Sequence, residues 1–146
     1  MNIGGILMEK GIDYPKIVDE TFYTKTYDQN RILGLALLNS KLHLDGKVVT
    51  TYLTKEDMEE FHCTPKQLDG IVNQLRVTKG TEVAVFLYES EDGSFKASFR
   101  VNGDVNVAEI AQKFGGGGHV KAAGCNIFGP IDEVIEKILC EIEKSL

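Results

Sequence analysis

The spacing of apolar residues predicts helices over the first 45 residues. Apolar positions recur every three or four residues in "YPKIVDETF" (14–22) and in "YDQNRILGLALLNSKL" (27–42), the period of a helix with one buried face. In the second segment these positions are Ile32, Leu35, Leu38 and Leu42. Asp45-Gly46 marks a turn, and we place a domain boundary there, between residues 1–45 and residues 46–146.

A different pattern predicts strands in the remainder. The segments 47–54, 81–89 and 94–101 are rich in β-branched and aromatic residues, and the turn signal "SEDG" joins the last two. In 94–101 apolar and polar residues alternate, so Phe95, Ala97, Phe99 and Val101 share one face and Ser94, Lys96, Ser98 and Arg100 share the other. Ser98 and Arg100 therefore project together from the less buried face.

Capping signals and apolar spacing predict the remaining helices. The predicted elements are a helix starting at Thr54, helices over 65–76 and 107–113, a short helix or turn at "HVKAAG" (119–124), a strand at "CNIFG" (125–129) and a closing helix from Pro130. The fold class is α+β, with a helical N-terminal segment followed by a small mixed-sheet lobe with flanking helices.

The net charge and its distribution along the chain limit the kinds of ligand that the protein is expected to bind. The 146-residue chain carries a formal net charge of −6, which argues against binding a nucleic-acid duplex through a broad basic face. Residues 95–125, however, hold four basic and two acidic residues, a local balance of +2. A small basic island on an acidic protein suits a small anion better than a long polyanion.

Targeting and metal-binding signals are absent from the sequence. No apolar run reaches the roughly 18 residues of a membrane helix, and the start has no signal-peptide pattern, so we expect a cytoplasmic protein without membrane contact. Three widely spaced cysteines and the isolated pair His62-Cys63 match no metal-ligand spacing. We therefore predict no metal site in this chain, and the absence of a Gly-x-Ser-x-Gly motif and of an evident Ser-His-Asp set argues against a self-contained hydrolase.

The run "KFGGGGHVKAAG" (113–124) is the main chemical signal. It is too short and too closely flanked by predicted elements for a flexible linker, and Val120 stands where both nucleotide-binding glycine patterns need glycine. Consecutive glycines followed by a helix start would instead offer backbone N–H groups to an anion, with His119 and Lys121 as side-chain donors. Arg100 would add a planar fork for phosphate.

Two stretches resemble a known family. "SFR" (98–100) and "VNVAEIAQKFGGGGHVKAAG" (105–124) are similar to the DHH-associated, substrate-binding domain of the DHH phosphoesterases, in the branch of oligoribonucleases and 3′-phosphoadenosine-5′-phosphate phosphatases. Residues 1–45 are similar to the helices that end the family's catalytic domain. The resemblance implies that the substrate is bound by Ser98, Arg100, Gly115, Gly116, Gly117, Gly118 and His119. The glycine loop and His119 would contact phosphate, and Arg100 would contact phosphate or base.

The resemblance also implies a split enzyme. In the family, an N-terminal domain with an Asp-His-His motif holds divalent ions, usually manganese, that activate water against a phosphoester. That motif is absent here, so we expect a part of a longer phosphoesterase that binds and does not cleave on its own. Val101 stands where the family often has a second serine. The implied partners are a nucleotide or short single-stranded oligonucleotide and the catalytic domain, with a homodimer as a further candidate.

Three alternatives stay open at this point. The chain could be a stand-alone nucleotide-sensing module, or it could serve a polyphosphate or cyclic-dinucleotide phosphohydrolase. Binding of long single strands is a weaker alternative, because the sequence shows neither the stacking aromatics nor the extended basic groove that this function needs.

Overall fold

A computed structural model describes residues 24–146, so the helix expected at 14–22 lies outside the described part. Thr26 begins the first helix with a capping box, in which its side chain accepts from the Gln29 N–H. The helices are α1 (Tyr27–Leu38), α2 (Lys55–Glu60), a 3-10 turn (Pro65–Leu68), α3 (Ile71–Arg76), α4 (Val107–Lys113) and α5 (Ile131–Glu143). The strands are β1 (Lys41–His43), β2 (Val48–Leu53), β3 (Val83–Glu89), β4 (Phe95–Val101), β5 (Gly117–His119) and β6 (Ala122–Ile127).

The strands form one mixed sheet in the order β1-β2-β3-β4-β6-β5. Only β2 and β3 run parallel, and helices α2 and α3 lie in the connection between them, as a parallel crossover requires. The other four neighbouring pairs are antiparallel. The α+β fold class with a mixed sheet and flanking helices is confirmed.

Helices cover the two faces of the sheet unequally. On one face, α4 and α5 pack over a core that extends from β2 to β6 and includes Phe99, Ile110 and Ile138. On the other face, α1, α2 and α3 pack over β2 and β3, around Ile32, Leu75 and Phe86. This second face therefore stays open over β6 and β5, where Ala122, Gly124 and the β5 residues keep exposed surface.

The alternation predicted for residues 94–101 is correct for seven of the eight positions. All four apolar residues are buried, and Lys96, Ser98 and Arg100 are half-buried. Ser94 is the exception because it is fully buried at the turn before β4, where its hydroxyl donates to Asp92 and accepts from the Asn126 amide. The helix predicted over 107–113 has the predicted limits.

The helix predicted over 27–42 ends earlier than expected. Leu38 is its last residue, and the Ser40 hydroxyl turns back to bond the Leu37 carbonyl oxygen. Leu42, expected on the apolar face of that helix, lies in β1 and is 61% exposed. Strand β1 pairs with β2 across the Asp45-Gly46 turn, and the domain boundary placed at that turn stays a prediction.

The helix predicted over 65–76 is broken in two. Gly70 has a left-handed φ of +95°, and Asp69 before it has an extended backbone. Glycine adopts that conformation without steric cost, so the chain turns between the 3-10 turn and α3. The break displaces Asp69 and Gly70 from a helix surface onto the rim of a cavity described below.

The largest correction concerns residues 119–124, predicted as a short helix or turn. Gly117–His119 and Ala122–Ile127 are two antiparallel strands joined at Val120-Lys121, so the predicted strand begins three residues earlier than expected. The helix dipole that we expected behind the glycine run is therefore absent from this place. None of the helices in residues 24–146 has the length and apolar character needed to cross a bilayer.

Candidate nucleotide-binding face

The first glycine of the run ends helix α4. Gly115 has a left-handed φ of +83°, its N–H donates to the Gln112 carbonyl at 3.0 Å, and the Gly116 N–H donates to the Ala111 carbonyl at 2.9 Å. These are the two hydrogen bonds of a Schellman motif, in which glycine is favoured for its positive φ. Both N–H groups are thereby used within the chain, which leaves Gly115 and Gly116 without free backbone donors for the anion contact that the sequence predicts.

Two further glycines allow β5 to lie close to β6. A Cβ at Gly116 would overlap the carbonyl oxygen of Gly124 and lie 2.6 Å from the Cβ of Cys125. A Cβ at Gly118, where φ is +143°, would lie 2.6 Å from both the Ala122 oxygen and the Ala123 Cα. Side chains are therefore excluded at these positions by the packing of the hairpin, whatever the ligand.

Gly117 differs from its neighbours. A Cβ at this position would meet nothing within 4 Å, and its φ is not in the left-handed region. It pairs with Gly124 on β6, which pairs in turn with Ser98 on β4. Directly opposed residues in a sheet project to the same side, so Gly117 and Gly124 extend the open face beside Ser98 without adding side chains to it.

The next row of the same face carries Arg100 and His119. Arg100 pairs with Ala122, and Ala122 pairs with His119. Arg100 and His119 therefore project from one face across two strand spacings, about 10 Å. The residues singled out in two separate stretches of the sequence come together around a floor of small residues.

Arg100 is half-buried and keeps most of its donors uncommitted. One guanidinium N–H donates to the Phe99 carbonyl at 2.8 Å, and no carboxylate among residues 24–146 pairs with this cation. Its remaining N–H groups are therefore available to an external acceptor. His119 is exposed at the end of β5.

Lys96 belongs to this face and was not singled out from the sequence. Its Nζ lies 3.8 Å from the position that a Cβ on Gly124 would occupy, so the ammonium lies over the small-residue floor. The sequence does contain a signal that identifies Lys96, because the alternation in 94–101 places it on the same face as Ser98 and Arg100. Lys121, which was singled out, lies in the turn beyond β5, and its Nζ donates to the Gly103 carbonyl at 3.0 Å.

A cavity of about 340 Å³ adjoins Arg100. Its floor is the sheet, and its wall is the broken segment between the 3-10 turn and α3. Its lining includes Leu68, Asp69, Val72, Asn73, Tyr88, Ser98 and Arg100. The sequence pattern gave no indication of this cavity, because its wall depends on the break at Gly70.

Metal ligands do not cluster in the described part of the chain. Residues 24–146 contain no group of three or more His, Cys, Asp or Glu side chains placed to hold a metal ion. Lys96 and Arg100 on the open face are cationic donors, which suit an anion and do not suit a divalent cation. The described residues of this face therefore offer donors to an anion and no cluster of ligands to a metal ion.

Cysteine reactivity provides a test of the hairpin packing. Cys125 is buried beneath Gly116, and burial raises the pKa of its thiol to about 11, whereas Cys140 is exposed. Because the thiolate is the reactive form, we expect iodoacetamide at pH 8 to modify Cys140 quickly and Cys125 only after unfolding. Peptide mass analysis over time measures both rates, and equal rates in the folded protein would contradict the packing of β5 on β6.

Comparison with known proteins agrees with the sequence resemblance. The DHHA1 domain family matches residues 45–146. Two curated relatives are bifunctional oligoribonuclease and PAP phosphatase NrnA proteins, from Thermus thermophilus (35% identical over 117 residues) and Bacillus subtilis (30% over 135 residues). The matches cover 80% and 90% of this chain but only 34% and 42% of those proteins.

Solved structures show the same fold. An exopolyphosphatase-related protein from Bacteroides fragilis superposes with a TM-score of 0.84 at 29% identity, over 96% of this chain and 41% of that chain. A pGpG-specific phosphodiesterase, PggH from Vibrio, superposes with a TM-score of 0.61 at 16% identity, over 82% of this chain and 40% of that chain. The second likeness concerns the fold alone.

Proposed function

The chain belongs to the DHHA1 domain family, and on that premise we propose that it is the nucleotide-binding part of a metal-dependent phosphoesterase. The substrates we propose are short oligoribonucleotides or 3′-phosphoadenosine 5′-phosphate, as the names of the curated relatives suggest. The observation that carries the proposal is the open sheet face on which Ser98, Arg100 and His119 surround a floor of small residues.

The electrostatics of this face favour phosphate. Arg100 offers a planar fork of N–H donors, Lys96 lies over the floor, and His119 and Ser98 add donors at the edges. Hydrogen bonds between charged donors and phosphate oxygens are among the strongest in proteins. Because the described acidic residues leave Arg100 unpaired, the phosphate does not have to displace a carboxylate.

Small residues make the face accessible to the ligand. Gly117 leaves the backbone of β5 uncovered, and Gly124 leaves room for the Lys96 side chain to lie over β6. A phosphate or ribose can therefore approach within van der Waals distance of the sheet, which a branched side chain at either position would prevent. Within the glycine run, Gly117 thus gives the ligand access to the sheet, and its neighbours allow the two strands of the hairpin to pack closely.

Cleavage would belong to a separate catalytic domain. The residues of this face bind and orient a substrate, and we assign the manganese or other divalent ion that activates water to a DHH domain preceding this one in the full enzyme. Arg100 and His119 would fix the phosphate across the cleft from that domain. We propose a cytoplasmic location, where such substrates occur.

Replacing His119 by Ala should weaken binding of 3′-phosphoadenosine 5′-phosphate by about 1.5 kcal/mol, or more than tenfold in Kd, because one charge-assisted hydrogen bond is lost. Calorimetric titration of the purified 146-residue chain measures the change. His62→Asn is the control for loss of an imidazole, since His62 is exposed in a left-handed turn that Asn tolerates and follows α2, outside the strands that form the face. Unchanged affinity in His119→Ala would remove this residue from the site.

A polyphosphate ligand is the second candidate, favoured by the structural likeness to an exopolyphosphatase-related protein. Comparing tripolyphosphate with a dinucleotide in the same titration separates the two. Tighter binding of tripolyphosphate than of every nucleotide tested would replace the nucleotide proposal with this one.

A further inference from the structure

The cavity beside Arg100 has the composition of a pocket for a flat, partly apolar group. Its volume of about 340 Å³ lies within the range of small-molecule sites. The half-buried ring of Tyr88 lines one side, and Leu68 and Val72, which are both buried, add only a small apolar surface. Bases stack well on aromatic side chains, so the Tyr88 ring offers a surface for a nucleobase.

Two polar side chains on the cavity wall are available to a ligand. Asp69 and Asn73 are both exposed, and neither has a hydrogen-bond or ion-pair partner among residues 24–146. Asp69 precedes α3, yet no side chain caps the N-terminus of that helix, where Gly70 occupies the N-cap position. The Asp69 carboxylate is thus left free, and Asn73 is four residues further along.

The cavity has a basic side at Arg100 and an acidic side at Asp69, and the two sides suit different parts of a ligand. Arg100 and Ser98 lie on the sheet floor and suit phosphate, whereas Asp69 repels phosphate and can only accept hydrogen bonds when ionised. A ligand that satisfies both sides must therefore carry an anionic group at one end and N–H donors at the other. A nucleotide has this polarity, and inorganic phosphate or polyphosphate does not.

Building on the proposed function, we propose that this cavity holds one base of the bound nucleotide and that Asp69 gives it a preference for guanine. Guanine presents two adjacent N–H donors, at N1 and N2, on its Watson–Crick edge, and a carboxylate accepts such a pair with both oxygens. Adenine and cytosine present one amino group there, and uracil presents one N–H between two acceptors. The order of preference is therefore guanine first and uracil last.

Calorimetric titration of the full 146-residue chain with pGpG, pUpU and tripolyphosphate tests this assignment. We expect pGpG to bind at least about tenfold more tightly than pUpU. Asp69→Asn keeps the shape of the side chain and should bring the two Kd values within about threefold, while tripolyphosphate binding stays intact and reports a folded protein. Asp132→Asn, which removes the same charge from α5 on the opposite face of the sheet, should keep the full preference.

The same titrations distinguish failure of the guanine-pocket proposal from failure of the proposed function. If the dinucleotides bind equally, or if the preference survives in Asp69→Asn, the guanine pocket is wrong, while loss of dinucleotide binding in Arg100→Ala still supports a nucleotide-binding face. If neither dinucleotide binds the unaltered chain, or if Arg100→Ala binds them as the unaltered chain does, the proposed function fails and the base pocket fails with it.

Discussion

Replacing Gly116 by alanine is expected to lower the free energy of unfolding by about 3 kcal/mol, because the new methyl group would overlap main-chain atoms of β6. Neither partner is the flexible end of a side chain, so the hairpin itself would have to open. Urea unfolding followed by circular dichroism measures the change, with the m-value showing whether the folded state stays compact. Cys125 should become reactive toward iodoacetamide in the same variant.

Gly117→Ala is the matched control. Its methyl group would enter open space, so we expect stability within about 0.5 kcal/mol of the unaltered chain. The same methyl group would stand on the proposed ligand face and should weaken nucleotide binding severalfold. Equal stability of the two variants would contradict the close packing of β5 on β6, whereas unchanged binding in Gly117→Ala would place the ligand elsewhere.

Arg100→Ala is expected to weaken nucleotide binding by about 2 to 3 kcal/mol, or roughly 30- to 150-fold in Kd. The loss combines the charge with a fork of donors that no other residue of the face supplies. Arg100→Lys should recover only part of the affinity, because an ammonium restores the charge without the planar geometry. Calorimetric titration with 3′-phosphoadenosine 5′-phosphate provides the measurement.

Arg31→Ala controls for the loss of a positive charge. Arg31 lies on α1, where its guanidinium stacks 4.7 Å from the centre of the Phe61 ring, away from the proposed face. A general electrostatic effect would weaken binding in both variants, and the effect would fall with added salt in both. A loss confined to Arg100→Ala would show direct contact, whereas equal losses in the two variants would contradict it.

The elements that the sequence predicted correctly are those in which buried apolar residues alternate with polar ones or recur at helical spacing. Strand β4 has a buried apolar residue at every second position, and α4 has a capping Asn106 followed by a regular apolar stripe. In both, local preference and tertiary packing require the same residues. The face that carries Ser98 and Arg100 was therefore predictable from one strand.

The elements that the patterns missed are defined by glycine. Residues 117–119 carry no apolar periodicity, because their strand is specified by close backbone contact with β6 and not by side-chain burial. The break at Gly70 was likewise missed, since the apolar spacing of residues 65–76 continues through it. The proximity of His119 to Arg100 depends on pairing between distant segments, which local patterns do not encode.

The uneven helical covering of the sheet has a consequence for the protein without its ligand. Over β6 and β5 the uncovered face presents Ala122, Gly124 and Gly117 in place of large apolar side chains, with Lys96 and Arg100 at its border. Such a surface is well hydrated and offers little apolar area to attract other proteins. We therefore expect the proposed binding face to remain in contact with water at little free-energy cost, and a ligand to gain affinity there mainly through charge and fit.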